Sequence, residues 1–142
     1  MRVRAVTAAD ADALVALWRQ VFPEYADPSR PQRDPRANIE RKLAFGDGLF
    51  WLAEENEVIG SAMAGYDGHR GWLYSVGVHP ARRGQGLGRA LVAHAERELA
   101  ALGCPKINLQ VLEAKPDAVA FWRALGYVPD PVLSLGRRLD SR

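Results

Sequence analysis

The chain has 142 residues, of which 48% are apolar and 25% charged, and this composition indicates one soluble globular domain, residues 1–142. The net charge is only +2, and no apolar run reaches the length of about 18 residues that spans a membrane, so we expect neither nucleic acid nor a membrane as a partner. The single cysteine, Cys104, can form no internal disulfide and has no neighbouring Cys or His ligand, which indicates a cytoplasmic protein without a metal.

The first predicted elements are a strand and two helices. Val3–Val6 alternates with arginine and predicts a strand. Thr7, followed three residues later by Asp10, predicts a helix N-cap. The buried face of that first helix is predicted to carry Leu14, Leu17, Trp18 and Val21. Pro23–Pro35 contains four prolines and is predicted to be an irregular loop, either over a binding site or as a plain connection. A second helix is predicted near Arg36–Phe45.

Three strands are predicted next. Leu49–Ala53 and Val58–Tyr66 flank a turn at Glu55–Glu57 and therefore predict a hairpin. A second, glycine-rich turn at Asp67–Gly71 leads into a further strand, Trp72–Val78.

The last third of the chain predicts two more helices and two more strands. Apolar residues from Leu87 to Leu102 recur at helical spacing, and Gly103 ends that helix. A strand at Lys106–Val111, a helix at Pro116–Leu125 and a final strand at Val132–Leu135 follow. The order of elements predicts a single α/β domain with a mixed, mostly antiparallel sheet and helices on both faces.

The junction between the third of those strands and the long helix contains three glycines in five residues: Gly84, Gly86 and Gly88. Each glycine destabilises a helix interior by about 1 kcal/mol relative to alanine, so this run indicates a place where the backbone approaches a ligand closely. Backbone N–H groups at the positive end of a helix attract anions. The basic residues beside the glycines are Arg82, Arg83 and Arg89. Together these features predict a pyrophosphate site.

Three phosphate-binding motifs compete for this segment. A Walker A loop requires Lys followed by Ser or Thr, and neither pair is present. A dinucleotide fingerprint requires G-x-G-x-x-G near the first strand, whereas these glycines alternate and lie past mid-chain. The segment fits best the R-x-x-G-x-G type of signature, met here as Arg83-Gly84-Gln85-Gly86-Leu87-Gly88.

With these residues the chain resembles the GNAT superfamily of N-acetyltransferases over essentially its whole length. The order of elements matches that fold, Arg83–Gly88 matches the coenzyme signature, and Ala118–Tyr127 is similar to the family's A-x-x-F-Y-x-x-x-G-[FY] helix. Within the superfamily, Gly65–Gly71, Gly103–Ile107 and Leu133–Gly136 resemble the small bacterial YpeA-type branch.

The resemblance implies that acetyl-CoA is the co-substrate. It implies that the N–H groups of Arg83–Gly88 hold the pyrophosphate, and that the pantetheine arm pairs with Val76–Val78 like an added strand. The thioester is then expected where that strand and Lys106–Val111 splay apart. The coenzyme-binding residues so implied are Val76, Gly77, Val78, Arg83, Gly84, Gln85, Gly86, Leu87, Gly88, Arg89 and Phe121.

The residues that move protons are a separate question. Well-known protein-acetylating members of the superfamily use a glutamate in the late strand as base and a tyrosine in the last helix as acid, and the matching positions here hold Gln110 and Trp122. Tyr74 and Glu113 are the remaining catalytic candidates, although Tyr74 is also suited to packing and Glu113 to a solvated loop. The candidate substrate contacts are Asp67 and His69, which can equally serve their own turn.

The sequence favours acetyl transfer from acetyl-CoA to a primary amine, on a small molecule or a protein N-terminus, by direct transfer in a ternary complex. The alternative is a non-catalytic sensor or regulatory module that binds acetyl-CoA or CoA, and Gln110 and Trp122 are the residues in its favour. The fold is also compatible with a homodimer formed through an exposed strand edge.

Overall fold

The computed structural model describes residues 1–29 and 33–140, and these contain five strands and four α-helices. In chain order the elements are β1 (Arg2–Ala5), α1 (Ala11–Val21), α2 (Pro35–Phe45), β2 (Phe50–Glu55), β3 (Glu57–Tyr66), β4 (Gly71–Val78), α3 (Leu87–Ala101), β5 (Ile107–Asn108) and α4 (Pro116–Ala124). The predicted order of elements is confirmed up to the last helix. No helix in the described ranges combines the length and the apolar character needed to cross a bilayer.

The five strands form one sheet in the order β1-β2-β3-β4-β5. The first three pairs are antiparallel and the last, β4 with β5, is parallel, so the predicted mixed and mostly antiparallel sheet is confirmed. The predicted turn between β2 and β3 is confirmed as well, and there Asn56 takes a left-handed backbone conformation with φ of 66°. The whole sheet, with α1 to α3, lies in one compact unit, Met1–Leu109, and a second, smaller unit begins at Gln110.

Helices cover both faces of this sheet. Side chains alternate along a strand, and in β2 Phe50 and Leu52 join the core beneath α1 and α2. Their neighbour Trp51 points the other way, where its ring centroid lies 5.3 Å from that of His94 on α3. Leu91 and Leu99 of α3 are fully buried on that second face. The predicted placement of helices on both faces is therefore confirmed.

Trp18 lies at the centre of the first face and is fully buried, as its helical spacing predicted. Its indole Nε1 donates a hydrogen bond of 2.9 Å to the hydroxyl of Ser61, the one buried polar residue identified in the described core. Tyr25, in a short 3-10 turn after α1, stacks on the indole with centroids 5.6 Å apart. The start of the proline-rich segment thus packs against the core through Tyr25, whereas residues 30–32 of that segment lie outside the described residues.

The predicted cap of the first helix is confirmed in a slightly different form. Thr7 precedes a short 3-10 turn that leads into α1, and its backbone N–H donates to the carboxylate of Asp10 at 2.8 Å. The same carboxylate receives two hydrogen bonds from the guanidinium of Arg4, at 2.8 and 2.9 Å. These bonds lower the pKa of Asp10 to about 2.

Of the two strands predicted near the C-terminus, the first is shorter than predicted and the second is wrong. Lys106–Val111 pairs with β4 only at Ile107 and Asn108, so the hydrogen-bonded strand is shorter than its alternating pattern. Val132–Leu135 forms no strand in the described part of the smaller unit, and its leucines, Leu133 and Leu135, are 89% and 90% exposed. An alternating pattern forms a strand only where a partner strand is present to receive its hydrogen bonds. In addition, the two prolines just before Val132 have no N–H group to donate to such a partner.

Candidate active site

The loop between β4 and α3 has the backbone geometry of an anion site. Gly84 and Gly86 both have φ of +78°, a left-handed conformation that side chains other than glycine's adopt at a cost. Gly86 is the N-cap residue of α3 and has no side chain to accept from the first turn. By helix geometry the N–H groups of Leu87, Gly88 and Arg89 have no intrahelical acceptor. These donors, at the positive end of a 15-residue helix, are suited to a phosphate.

The arginines around this loop are not equivalent. Arg82 donates a 2.8 Å hydrogen bond to the carboxylate of Glu55 and a 3.1 Å bond to the side-chain oxygen of Gln85. The hydrogen bond from Arg82 lowers the pKa of Glu55, so this guanidinium is paired with a carboxylate. Arg83 and Arg89 are exposed. Arg82 is therefore paired with a carboxylate of the protein, whereas the expectation that all three arginines charge the loop stays a prediction.

A bulge interrupts β4 before the segment predicted to hold the pantetheine arm. Tyr74 pairs with Met63 and Gly77 with Ser61, so two residues of β4, Ser75 and Val76, stand opposite a single residue of β3. Ser75 at this bulge has φ of +48°. Such bulges twist and redirect a strand, and sequence reasoning missed this one because no glycine marks it.

Past the bulge, one edge of β4 is open among the described residues. β5 pairs with β4 only at Gly71 and Trp72, although β4 continues to Val78. On its other edge the end of β4 pairs with Gly60 and Ser61 of β3. From Leu73 onward the backbone groups on this edge therefore have no strand beside them among the described residues, and in this gap an extended ligand can add as a strand.

Gly77 within that segment also has a packing role. A Cβ built at Gly77 would lie 2.6 Å from Cγ1 of Val21 and 2.9 Å from Cζ of Phe22. The end of α1 therefore rests directly on the backbone of β4, so this glycine is explained by close packing of the helix as well as by any coenzyme.

Tyr74 lies between the paired end of β4 and the bulge. Its cross-strand neighbour Met63 belongs to the core beneath α1 and α2, which places Tyr74 on that face of the sheet. Its ring is 46% exposed and stacks on Trp72, with centroids 6.3 Å apart and planes inclined by 14°. Burial of the phenol, with a smaller contribution from the carboxylate of Asp67, raises the pKa of Tyr74. The hydroxyl is therefore protonated at neutral pH and is a proton donor rather than a base.

Asp67 and His69 form the turn between β3 and β4. The Oδ1 atom of Asp67 accepts hydrogen bonds from the backbone N–H groups of His69 and Arg70, both at 2.8 Å. These bonds lower the pKa of Asp67, so its carboxylate is charged at neutral pH. Asp67 thus stabilises its own turn through Oδ1. Its negative charge also contributes to the electrostatic potential at Tyr74, whose pKa it helps to raise.

Asn108, on β5, was not among the residues the sequence singled out. It stands opposite Trp72 at the last paired position of β5, where the gap opens. Its Oδ1 atom is buried and has no hydrogen-bond partner among the described residues. An isolated asparagine in an alternating strand carries no sequence signal, so only the structure reveals this feature.

The remaining candidates lie in the smaller unit. Glu113 is exposed in a turn that follows the end of the late strand's sequence pattern. Phe121 and Trp122 are half-buried on α4, with ring centroids 5.0 Å apart. Trp122 also packs edge-on against Tyr127, at 5.2 Å. Gln110 donates a hydrogen bond from its amide nitrogen to the hydroxyl of Ser134. An amide at position 110 and an indole at position 122 supply neither a carboxylate base nor a phenol acid.

Comparison with known proteins agrees with this geometry. The profile of the acetyltransferase (GNAT) family matches residues 12–127. An acetyltransferase of Pectobacterium atrosepticum is 43% identical over 140 residues, which is 98% of this chain and 96% of that protein. An acetyltransferase of Yersinia pestis is 41% identical with the same coverage.

Solved structures share the fold. The PaiA N-acetyltransferase of Thermoplasma acidophilum, in complex with coenzyme A, superimposes with a TM-score of 0.83 over 92% of this chain and 91% of its own, at 16% identity. This likeness concerns the fold alone, and the comparisons identify the family rather than a branch within it.

Proposed function

The chain belongs to the GNAT family of acetyltransferases, and we propose that it transfers the acetyl group of acetyl-CoA directly to a primary amine. The observation that carries the proposal is the combination of an open strand edge with a helix N-terminus at its end. β4 is unpaired toward β5 beyond Trp72, and the left-handed loop at Gly84 and Gly86 follows that same strand. One ligand with an extended amide arm and a pyrophosphate matches both features.

The loop before α3 and the end of β4 are proposed to bind different parts of the coenzyme. Backbone N–H groups of Arg83–Gly88 would receive the pyrophosphate, aided by the exposed guanidinium groups of Arg83 and Arg89. The amides of the pantetheine arm would pair with Val76–Val78 along the open edge. A Cβ built at Gly84 or Gly86 meets no atom within 4 Å, so the space beside these two glycines is free for a ligand. The Thermoplasma protein, which has the same fold, was solved in complex with coenzyme A, and this supports the coenzyme as the ligand.

The transfer itself forms one bond and breaks one. The nitrogen of a neutral amine attacks the thioester carbonyl carbon to form a C–N bond, and the carbonyl oxygen takes up negative charge. Backbone N–H groups on the open edge of β4 are suited to stabilising that charge. The C–S bond then breaks, the ammonium nitrogen loses a proton to water, and the departing thiolate gains a proton to give free CoA.

We propose Tyr74 as the general acid that donates a proton to the departing thiolate. It lies next to the bulge where the arm would end, it is partly exposed, and its raised pKa keeps the phenol protonated. Because Gln110 and Trp122 supply neither base nor acid, positioning of the two substrates is expected to provide most of the acceleration. Glu113 remains a candidate base on sequence grounds alone.

The acceptor is proposed to approach on the face that carries Trp72 and Tyr74. Two stacked aromatic rings and the charged carboxylate of Asp67 suit a cationic amine, which must lose a proton before it attacks. A small-molecule amine and a protein N-terminus both satisfy this requirement.

Release of free thiol from acetyl-CoA, measured against amines, polyamines, amino acids and N-terminal peptides, tests the proposal. Release that depends on one class of acceptor and is abolished by Gly86→Glu supports it. Calorimetric binding of CoA without release from any acceptor would instead support the alternative, a coenzyme-binding sensor, for which Gln110 and Trp122 are the observation in favour.

A further inference from the structure

The side chain of Asn108 presents a buried hydrogen-bond acceptor that the described residues leave unused. Its Oδ1 atom is shielded from solvent and has no partner among them, whereas most buried polar atoms in proteins are hydrogen-bonded. The residue as a whole is only partly buried and stands at the last paired position of β5, so a rotation of its amide would present Oδ1 to a ligand that enters the gap between β4 and β5. A buried, unpaired oxygen destabilises the free protein and is explained if a ligand supplies an N–H donor.

The face on which this amide lies can be read from its neighbours. Ile107 lies on the α3 side, since a Cβ at its partner Gly71 would come within 3.5 Å of Ile107 and 3.4 Å of Leu99. Successive residues of a strand point to opposite faces, so Asn108 shares the opposite face with its partner Trp72. That face also carries Tyr74, two residues, or about 7 Å, further along β4.

Two N–H donors would be present in the ternary complex, and the geometry separates them. The amide groups of a pantetheine arm paired with β4 lie in the plane of the sheet, where backbone groups form hydrogen bonds. The side chain of Asn108 instead stands off the sheet, on the face of Tyr74. The amine of the acceptor, which is proposed to approach on the face of Trp72 and Tyr74, is the donor expected there.

We propose that Asn108 binds and orients the acceptor amine, with Oδ1 accepting a hydrogen bond from one of its N–H groups. This inference rests on the proposed amine acetyltransferase activity. A primary amine has two hydrogens and one lone pair, so holding one N–H against a fixed oxygen helps to direct the lone pair toward the carbonyl carbon. As the C–N bond forms, the nitrogen becomes positively charged and its N–H a stronger donor, so the hydrogen bond strengthens toward the transition state. A neutral amide oxygen orients the amine without removing its proton.

The test is Asn108→Leu, which replaces the amide with an apolar side chain of similar size. For an amine that the wild-type protein acetylates, we expect kcat/KM to fall about tenfold to a hundredfold, while the Kd for CoA measured by calorimetry stays within about twofold. Asn108→Asp, which retains an acceptor oxygen, should recover part of the loss when the acceptor is cationic. The midpoint of thermal unfolding without ligand should stay unchanged or rise, because an unpaired buried oxygen has been removed.

Ser61→Ala is the matched control, since Ser61 is a buried polar residue that does have a partner, Trp18. It should lower the unfolding midpoint and leave the Kd for CoA unchanged. An unchanged kcat/KM in Asn108→Leu would overturn the inference, as would a weaker Kd for CoA with an unchanged KM for the amine, which would assign Asn108 to the pantetheine arm. A lowered unfolding midpoint for Asn108→Leu would likewise overturn it by showing a structural role. Failure of the wild-type protein to release thiol with any amine would refute the proposed function instead.

Discussion

Gly86→Ala separates the strain of the coenzyme loop from its function. Gly86 has φ of +78°, and a Cβ there would meet no atom within 4 Å. Alanine at this position should therefore destabilise the free protein only through its left-handed backbone, by about 1 kcal/mol. That strain is present with and without coenzyme, so by itself it leaves the affinity unchanged. Any loss of affinity for CoA in Gly86→Ala therefore reports a clash between the added methyl group and the bound ligand.

The size of that loss can be estimated from the contact that a Cβ would disturb. One charge-assisted hydrogen bond from a backbone N–H contributes about 1.5–3 kcal/mol, which corresponds to roughly a 10- to 150-fold increase in the Kd for CoA. Gly48→Ala is the control, because Gly48 has nearly the same φ, +74°, and equally open surroundings outside the loop. Thermal unfolding should show similar small losses for both variants, and calorimetry should show weaker binding only for Gly86→Ala. Equal Kd values for the two variants would refute a coenzyme site at this loop.

Three further predictions concern the charged and titratable groups. Tyr74→Phe should lower kcat roughly tenfold or more. Because the wild-type phenol has a raised pKa and acts in its protonated form, the variant should also lack the loss of activity that the wild-type protein shows when this phenol ionises at alkaline pH. An unchanged rate and pH profile would remove Tyr74 from the mechanism. Arg83→Ala should weaken CoA binding several-fold at low salt and less at high salt. Arg82→Ala removes a charge that is already paired within the protein, so it should change the Kd for CoA less. A larger effect of Arg82→Ala than of Arg83→Ala would contradict the assignment. Arg4→Met should lower the free energy of unfolding by about 1 kcal/mol at pH 7, allowing for solvent screening. Since the folded-state pKa of Asp10 is lowered to about 2, this difference should shrink as the pH falls below about 4 and through 2. A difference as large at pH 2 as at pH 7 in denaturant titrations would refute the role of this pair.

Sequence reasoning predicted the features that follow from short-range pattern. The spacing of Leu14 and Trp18 identified the buried face of α1. The alternation and turns of the central strands predicted the hairpin of β2 and β3 and the turn that leads into β4. The glycines at 84 and 86 were found because their residue type reports directly on backbone conformation, and both are indeed left-handed.

Features that depend on long-range partners were not predictable in the same way. The bulge at Ser75 arises from the register between β3 and β4, and no residue type in the sequence predicts it. The ion pair between Arg82 and Glu55 joins residues 27 positions apart, so the charges near the loop could be counted but not assigned. Asn108 became a candidate only when its unpaired oxygen was located beside the gap between β4 and β5.

Free-thiol release from acetyl-CoA in the presence of amine acceptors is the most direct test of acetyl transfer, with CoA binding followed in parallel by calorimetry. We predict that thiol is released with at least one class of primary amine, that the acetylated amine accumulates in equal amount, and that Gly86→Glu abolishes both release and binding. Absence of CoA binding to the wild-type protein would contradict the proposed coenzyme site and with it the proposed function.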